Sequence, residues 1–153
     1  MSPFSEIVNW GIIGCGDVCE VKSGPAFNKV PNSKLVAVMR RDAVKAKDYA
    51  LRHGVPKYYG DAAALINDPE INAIYIATPP SSHESYLEMA LKAGKPVYVE
   101  KPVTINSASL QRMMEMEKKY DGKVSVAHYR RGLPLFNKIK QLVNDGTIGK
   151  VKL

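Results

Sequence analysis

Ile7-Val8-Asn9-Trp10-Gly11-Ile12-Ile13-Gly14-Cys15-Gly16-Asp17-Val18-Cys19 decides how this chain folds. The apolar run Ile7 to Ile13 stops at a glycine turn, and Gly16 to Val30 then reads as a loop opening into a helix. Gly24-Pro25 should interrupt that helix, because proline lacks the N–H and crowds the preceding turn. The same alternation continues outward. Leu35 to Met39 is a buried strand. Asp42 caps a helix through Arg52, with Ala43, Ala46, Tyr49 and Ala50 on one face, and His53-Gly54 ends it. Asp61 starts a short helix to about Asn67. Strands are expected at Ala73 to Ala77, Val97 to Val99 and Val124 to Ala127. Helices are expected at Ser82 to Ala93, Ser107 to Tyr120 and Leu135 to Val143. Continuous apolar strands alternating with helices define an α/β fold, a doubly wound parallel sheet covered on both faces. Right-handed crossovers bring every strand's carboxyl end to one edge, where ligands bind. Function is therefore expected in the loops after Ile13, Met39, Ala77, Val99 and Ala127.

The composition excludes several classes. The chain has 153 residues, 45% hydrophobic and 24% charged, with a formal net charge of +7. That is long enough for one domain with its own core. The basic residues are scattered, with no aromatic-interleaved patch, which argues against nucleic acid and for a small phosphorylated partner. Cys15 and Cys19 are too few for a disulfide scaffold, and their spacing is not a redox motif. Two buried thiols in a reducing compartment are expected. No further Cys or well-placed His completes a metal shell. No apolar run approaches the roughly 20 residues of a membrane span. Met1 to Asn9 lacks the features of a secretory signal, so a cytoplasmic location is expected.

Gly14-Cys15-Gly16-Asp17-Val18-Cys19 is G-x-G-x-x-C, close to the dinucleotide fingerprint G-x-G-x-x-G/A. The first glycine permits a tight turn, the second lets backbone approach a pyrophosphate, and the last position needs a small residue for helix–strand packing. An acid about 20 residues further on would bind the ribose 2′-hydroxyl of NAD. Arg40-Arg41 stands there instead, and a guanidinium pairs with a 2′-phosphate, so NADP is favoured over NAD. Asp42 is assigned to the helix cap. In Ala77-Thr78-Pro79-Pro80-Ser81-Ser82-His83 the prolines make a rigid shelf able to support a flat ring. His83 is either a ligand contact or a satisfied structural histidine. Val99-Glu100-Lys101-Pro102 sets a lysine at the cleft edge, able to donate to a developing alkoxide. Its Lys101–Pro102 bond is a candidate for the cis form. His128-Tyr129-Arg130-Arg131 reaches the same edge, where His128 and Arg130 are candidate substrate contacts.

These motifs occur in one order: G-C-G-D-V, A-T-P-P-S-S-H, A-G-K-P-V-Y-V-E-K-P and the terminal D-G-T-I-G-K-V-K. Together they resemble the N-terminal Rossmann NAD(P)-binding domain of the glucose–fructose oxidoreductase / inositol dehydrogenase / rhizopine-catabolism (Gfo/Idh/MocA) family. The resemblance implies Lys101 as the catalytic lysine. It implies cofactor contacts from Gly14, Cys15, Gly16, Asp17, Val18, Arg40, Arg41, Ala77, Thr78, Pro79, His83, Glu100 and Lys101. Cys19 departs from the usual Ala or Gly, which implies slightly looser helix packing. The resemblance also implies a second, C-terminal substrate domain that supplies a catalytic Asp and His. Residues 1–148 are then the cofactor-binding domain, and 149–153 begin the missing one, which would also carry homo-oligomer contacts. A sugar, cyclitol or related polyol or carbonyl compound is the implied substrate, and this half alone should turn over little. Two other readings stay open: a glycosidase that uses tightly held NAD, and a non-enzymatic nucleotide sensor.

Overall fold

The computed structural model describes residues 7–150 and 152. Most of the N-terminal segment read for a signal, and Val151 and Leu153 of the expected terminal strand, lie outside the described residues. Six strands form one parallel sheet: β1 (Val8–Ile13), β2 (Ser33–Met39), β3 (Lys57–Tyr59), β4 (Ala73–Ile76), β5 (Val97–Val99) and β6 (Val124–Val126). Their order is β3-β2-β1-β4-β5-β6, and every neighbouring pair is parallel. The winding direction reverses between β1 and β4, which opens a crevice above their carboxyl ends.

The centre of the sheet is buried on both faces. Ile13, Ile74 and Ile76 join one core under α4 (Ala62–Ile66), α5 (His83–Lys92) and α6 (Ser107–Lys119). Ile12 and Tyr75 point the other way, toward α1 (Asp17–Val21), α2 (Ser23–Phe27) and α3 (Ala43–His53). This is the strand period of two at work on consecutive residues. Each fully buried isoleucine contributes about 1.5–3 kcal/mol, so the strand ends that carry the loops are firmly fixed.

Helix starts follow side-chain capping. Asp42 accepts from Val44 N at 3.1 Å and Lys45 N at 3.2 Å. Asp61 accepts from Ala64 N, and Asn106 from Ser109 N, each at 2.8 Å. Gly54 closes α3 with φ of 63°.

The interruption expected near Gly24-Pro25 is present, and other local features differ from the sequence expectation. The helix after the glycine loop is two five-residue pieces, α1 and α2. Pro25 cannot donate to Val21, so a continuous helix fails there. Gly24 proves to be a close-approach position: a Cβ would lie 2.0 Å from Tyr49 Oη and 2.4 Å from Cys19 O. Strand β3 was not anticipated, because three half-exposed edge residues carry no periodic signal. Ala43 is exposed, while Ala46, Tyr49 and Ala50 are buried as expected. The last helix, α7 (Pro134–Asn144), forms as expected but buries none of its residues.

The Tyr49 hydroxyl donates to Cys19 O at 2.8 Å, so α3 grips the chain just behind the glycine loop. Gly24→Ala should destabilise the domain by about 1–3 kcal/mol or more through overpacking at this contact. An unchanged midpoint in urea unfolding would contradict that reading.

Three carboxylates tie helices and loops together. Glu20 binds Arg52 and His53, Glu84 binds Arg112 and Ser109, and Asp68 binds Lys57 and Tyr59. The hydrogen bonds from Arg52, Arg112 and Lys57, respectively, pull each carboxyl down to about 2. A depressed carboxylate stabilises the fold above its unfolded value and loses that contribution as pH falls through the folded one. The urea midpoint should therefore hold down to about pH 4.5 and decline from there toward about pH 2. Glu84→Gln should flatten that decline; a parent midpoint unchanged down to about pH 3 would refute the assignment.

Candidate functional site

The glycine loop is held by backbone bonds that fold it against the neighbouring strand ends. Gly14 N and Cys15 N both donate to Met39 O, at 2.9 and 3.2 Å. Gly14 has φ of +94°, and a Cβ there would sit 2.6 Å from Thr78 Cγ2 and 3.0 Å from Ala77 C. Only glycine satisfies both the turn and the approach. Gly16 differs. Its φ is −99°, open to any residue, and a Cβ would meet no atom within 4 Å. The fold does not require glycine at 16, and the space over its backbone is open. The first N–H groups of α1 have no intrahelical acceptor and open at this same edge.

Two cavities flank the loop. One, about 470 Å³, is bounded by Gly14 and Gly16, by Arg40 and Arg41 after β2, and by Ala77, Thr78 and Pro79 after β4. Met39, Asp42, Lys45, Ser81, Ser82 and Tyr86 complete it. Among the described residues neither Arg40 nor Arg41 meets a carboxylate at ion-pair distance. Asp42 is engaged by its two capping N–H groups, with Lys45 Nζ 3.6 Å away. Sequence reasoning missed Lys45; its position one turn after the cap residue was the available signal.

The other cavity, about 420 Å³, is lined by Val18 and Lys22 of the α1 segment, Glu100, Lys101, and residues 127–131. Glu100 is fixed by Tyr75, whose hydroxyl donates to Oε1 at 2.7 Å, while Lys101 N donates to Oε2 at 3.1 Å. Burial and the adjoining Glu100 keep the Tyr75 hydroxyl protonated. The Glu100 carboxylate thus anchors the backbone from which Lys101 reaches out, and the Lys101–Pro102 bond is cis. Arg130, by hydrogen bond and charge, lowers the Tyr129 hydroxyl, with Lys22 and Lys101 adding to it. Lys22, Tyr129 and Arg131 were not selected from the sequence. A neighbouring cavity of about 520 Å³ shares Val18, Lys22 and Glu100 and is walled by Phe27, Tyr75 and Tyr98.

Three expected contacts do not face either cavity. His83 is 0% exposed, with Nε2 2.7 Å from Thr78 O and Nδ1 3.1 Å from Val103 O. It braces the β4 loop against the segment after Lys101, which is the structural alternative for this residue. Cys15 is fully buried, so only its backbone can approach a ligand. Asp17 is exposed at the start of α1 but lines neither cavity. Both thiols are free. Burial pushes Cys15 up to about 11 and Cys19 up to about 12, so they are packing groups rather than nucleophiles. The Cys19 side chain is fully buried with Sγ 3.6 Å from Gly14 O. Among the described residues no cluster of His, Cys, Asp or Glu is arranged to hold a metal, and no helix is long and apolar enough to cross a membrane.

A doubly wound sheet with a glycine turn at its switch point, cationic and lysine-bearing loops on either side, defines a dinucleotide-binding domain of an oxidoreductase. The sequence pattern described as the oxidoreductase family with NAD-binding Rossmann fold matches residues 8–128, and the chain belongs to this Gfo/Idh/MocA family. It is 55% identical over 144 residues to Oxidoreductase P35 of Formosa agariphila, covering 94% of this chain and 45% of that protein. It is 32% identical over 145 residues to the trans-1,2-dihydrobenzene-1,2-diol dehydrogenase of Xenopus tropicalis, covering 94% and 44%. The chain therefore spans less than half the length of these relatives.

Two solved structures share the fold. A 3-ketoreductase from Actinomadura kijaniata, solved with TDP-benzene and NADP, superposes with a TM-score of 0.86 at 25% identity, covering 95% of this chain and 46% of that one. The scyllo-inositol dehydrogenase of Lactobacillus casei, solved with NAD(H) and scyllo-inositol, gives 0.86 at 25% identity, covering 95% and 43%.

The two loop glycines separate fold from binding. Gly14→Ala should destabilise the domain by about 1–3 kcal/mol, from backbone strain and the Thr78 clash. Gly16→Val should leave stability within about 0.5 kcal/mol. Yet it should weaken dinucleotide binding at least about tenfold, roughly 1.4 kcal/mol, in a calorimetric titration. Equal loss of stability in both variants would refute the distinction.

Proposed function

We propose that this chain is the cofactor-binding half of a dehydrogenase or reductase acting on a sugar, cyclitol or related polyol or carbonyl compound. NADP is the favoured cofactor, with NAD the alternative. The observation that carries the proposal is the open space at Gly16, flanked by an arginine-lined cavity on one side and the Lys101 cavity on the other. In this reading Gly14 and Gly16 admit the pyrophosphate, and Arg40, Arg41 and Lys45 hold a 2′-phosphate. Asp42 also lines this cavity; one of its carboxylate oxygens takes the α3 cap N–H groups and the other lies 3.6 Å from Lys45 Nζ, which offsets part of its charge beside the two arginines. The relatives include both NADP- and NAD(H)-bound proteins, so the preference rests on these side chains.

The nicotinamide, when bound, supplies or accepts the hydride. Lys101 donates a hydrogen bond to the reacting oxygen and exchanges its proton. Glu100, clamped by Tyr75, keeps the Lys101 backbone in place. The resemblance assigns the remaining catalytic His and Asp to a second domain beginning near residue 149, with homo-oligomer contacts there too. The relatives' greater length supports the second domain alone. The chain alone would bind cofactor but turn over little. Its two free, buried thiols fit a reducing compartment such as the cytoplasm.

Calorimetry on the parent chain should show NADPH binding at least about tenfold tighter than NADH, a difference of roughly 1.4 kcal/mol. Arg40→Asp should erase that preference. Equal affinities in the parent would sink the NADP reading. In the two-domain protein, Lys101→Ala should lower kcat by about 10²–10⁴, with a much smaller effect on cofactor affinity.

A further inference from the structure

We infer that the Lys101 cavity is built for an anionic substrate, a sugar or cyclitol bearing a carboxylate, sulfate or phosphate group. The inference rests on the oxidoreductase reading above and names its substrate class. Lys22, Lys101, Arg130 and Arg131 line this single cavity, and the only carboxylate among its lining residues is Glu100. Glu100 is already held by the Tyr75 hydroxyl and the Lys101 N–H.

Several cations elsewhere are paired with carboxylates. Arg52 pairs with Glu20 and Asp48, Lys57 with Asp68 and Glu70, Arg112 with Glu84, and Lys92 with Glu88. Others, such as Lys29, Lys34 and Lys47, form no ion pair among the described residues but stand apart from one another along the chain. What sets this cavity apart is four cations lining one concave site. None of the four cavity cations forms an ion pair with a carboxylate among the described residues. Three of them, Arg130, Lys22 and Lys101, line the cavity beside Tyr129 and lower its hydroxyl. Unpaired cations gathered in a concave site repel one another and focus a positive potential that an anion relieves.

Proton transfer with a neutral polyol needs one such group, Lys101. The other three cations have no task on a neutral ring, but they match a charged substituent. They are also separate from the expected nucleotide phosphates. The residues suited to a 2′-phosphate line the other cavity, across Gly14 and Gly16. Against a neutral competitor, such a cavity discriminates by attraction of the acid alone.

The test uses the parent chain saturated with NADPH, titrated with glucuronate, glucose 6-phosphate, glucose 6-sulfate, glucose and myo-inositol. Binding is followed by NMR line shifts of the chain. At least one acidic sugar should bind about tenfold or more tighter than glucose, and the three acids compared show which group fits. That ratio should shrink as salt rises from about 0.02 to about 0.2 M, since exposed charges are screened. In the double variant Lys22→Gln/Arg131→Gln the ratio should fall to about one, with NADPH affinity within about twofold of the parent. Equal binding of acidic and neutral sugars to the parent overturns the inference. So does a variant that loses NADPH affinity, because the cations then serve the cofactor. If the parent binds no NADPH, the cofactor reading fails instead. The same titrations on the nucleotide-free chain then decide: an acid preference supports the inference and its absence overturns it.

Discussion

Everything at the working edge of this domain depends on the turn at Gly14. The positive φ there reverses the chain directly after β1, and two N–H groups bond the Met39 carbonyl at the end of β2. Thr78 presses on the same glycine from the end of β4. One residue without a side chain thus locks together the ends of the three central strands. Those strands are buried on both faces, so their ends do not drift, and the loops they carry inherit that rigidity. Gly16 stands two residues on, with nothing over it.

Supporting contacts behind the edge repeat the pattern of fixing backbone and leaving the front open. His83 spans the Thr78 and Val103 carbonyls from inside the protein. Tyr75 holds Glu100, whose other oxygen takes the Lys101 N–H. Tyr49 holds the Cys19 carbonyl. In each case a buried polar side chain contacts backbone or carboxylate oxygens of the edge loops or of the segment just behind them. Buried polar groups without partners would be costly, and among the described residues no buried side-chain nitrogen or oxygen lacks one.

Charge is divided along the edge in a way that separates two tasks. Arg40, Arg41 and Lys45 lie on one side of the glycine loop, and Lys22, Lys101, Arg130 and Arg131 on the other. The carboxylates near them, Asp42 and Glu100, are both occupied with backbone N–H groups of their own loops. Carboxylates elsewhere pair with surface cations and tie helices together. Arg40, Arg41, Lys22, Lys101, Arg130 and Arg131 thus gather at this edge without an ion pair among the described residues, while the other basic residues are spread over the chain.

The sequence by itself determined the alternation of strands and helices, the capping residues Asp42 and Asp61, and the order of the five edge loops. These are local properties: apolar run length, turn residues and cap side chains are readable within a few positions. It also placed Gly14, Gly16, Arg40, Arg41 and Lys101 at that edge, because residues just past a buried strand can only emerge there. Tertiary structure decided what depends on neighbours distant in the chain. Strand β3 exists because β2 offers it an edge, not because Lys57 to Tyr59 has a strand pattern. Gly24 is fixed by Tyr49, 25 positions away. His83 was undecided between ligand and brace until two carbonyls closed around it. Lys22 joined Lys101 and Arg131 only when the fold brought α1, the β5 loop and the β6 loop to one cavity. Nothing in the spacing of those residues along the chain encodes that meeting; parallel crossovers of the sheet produce it.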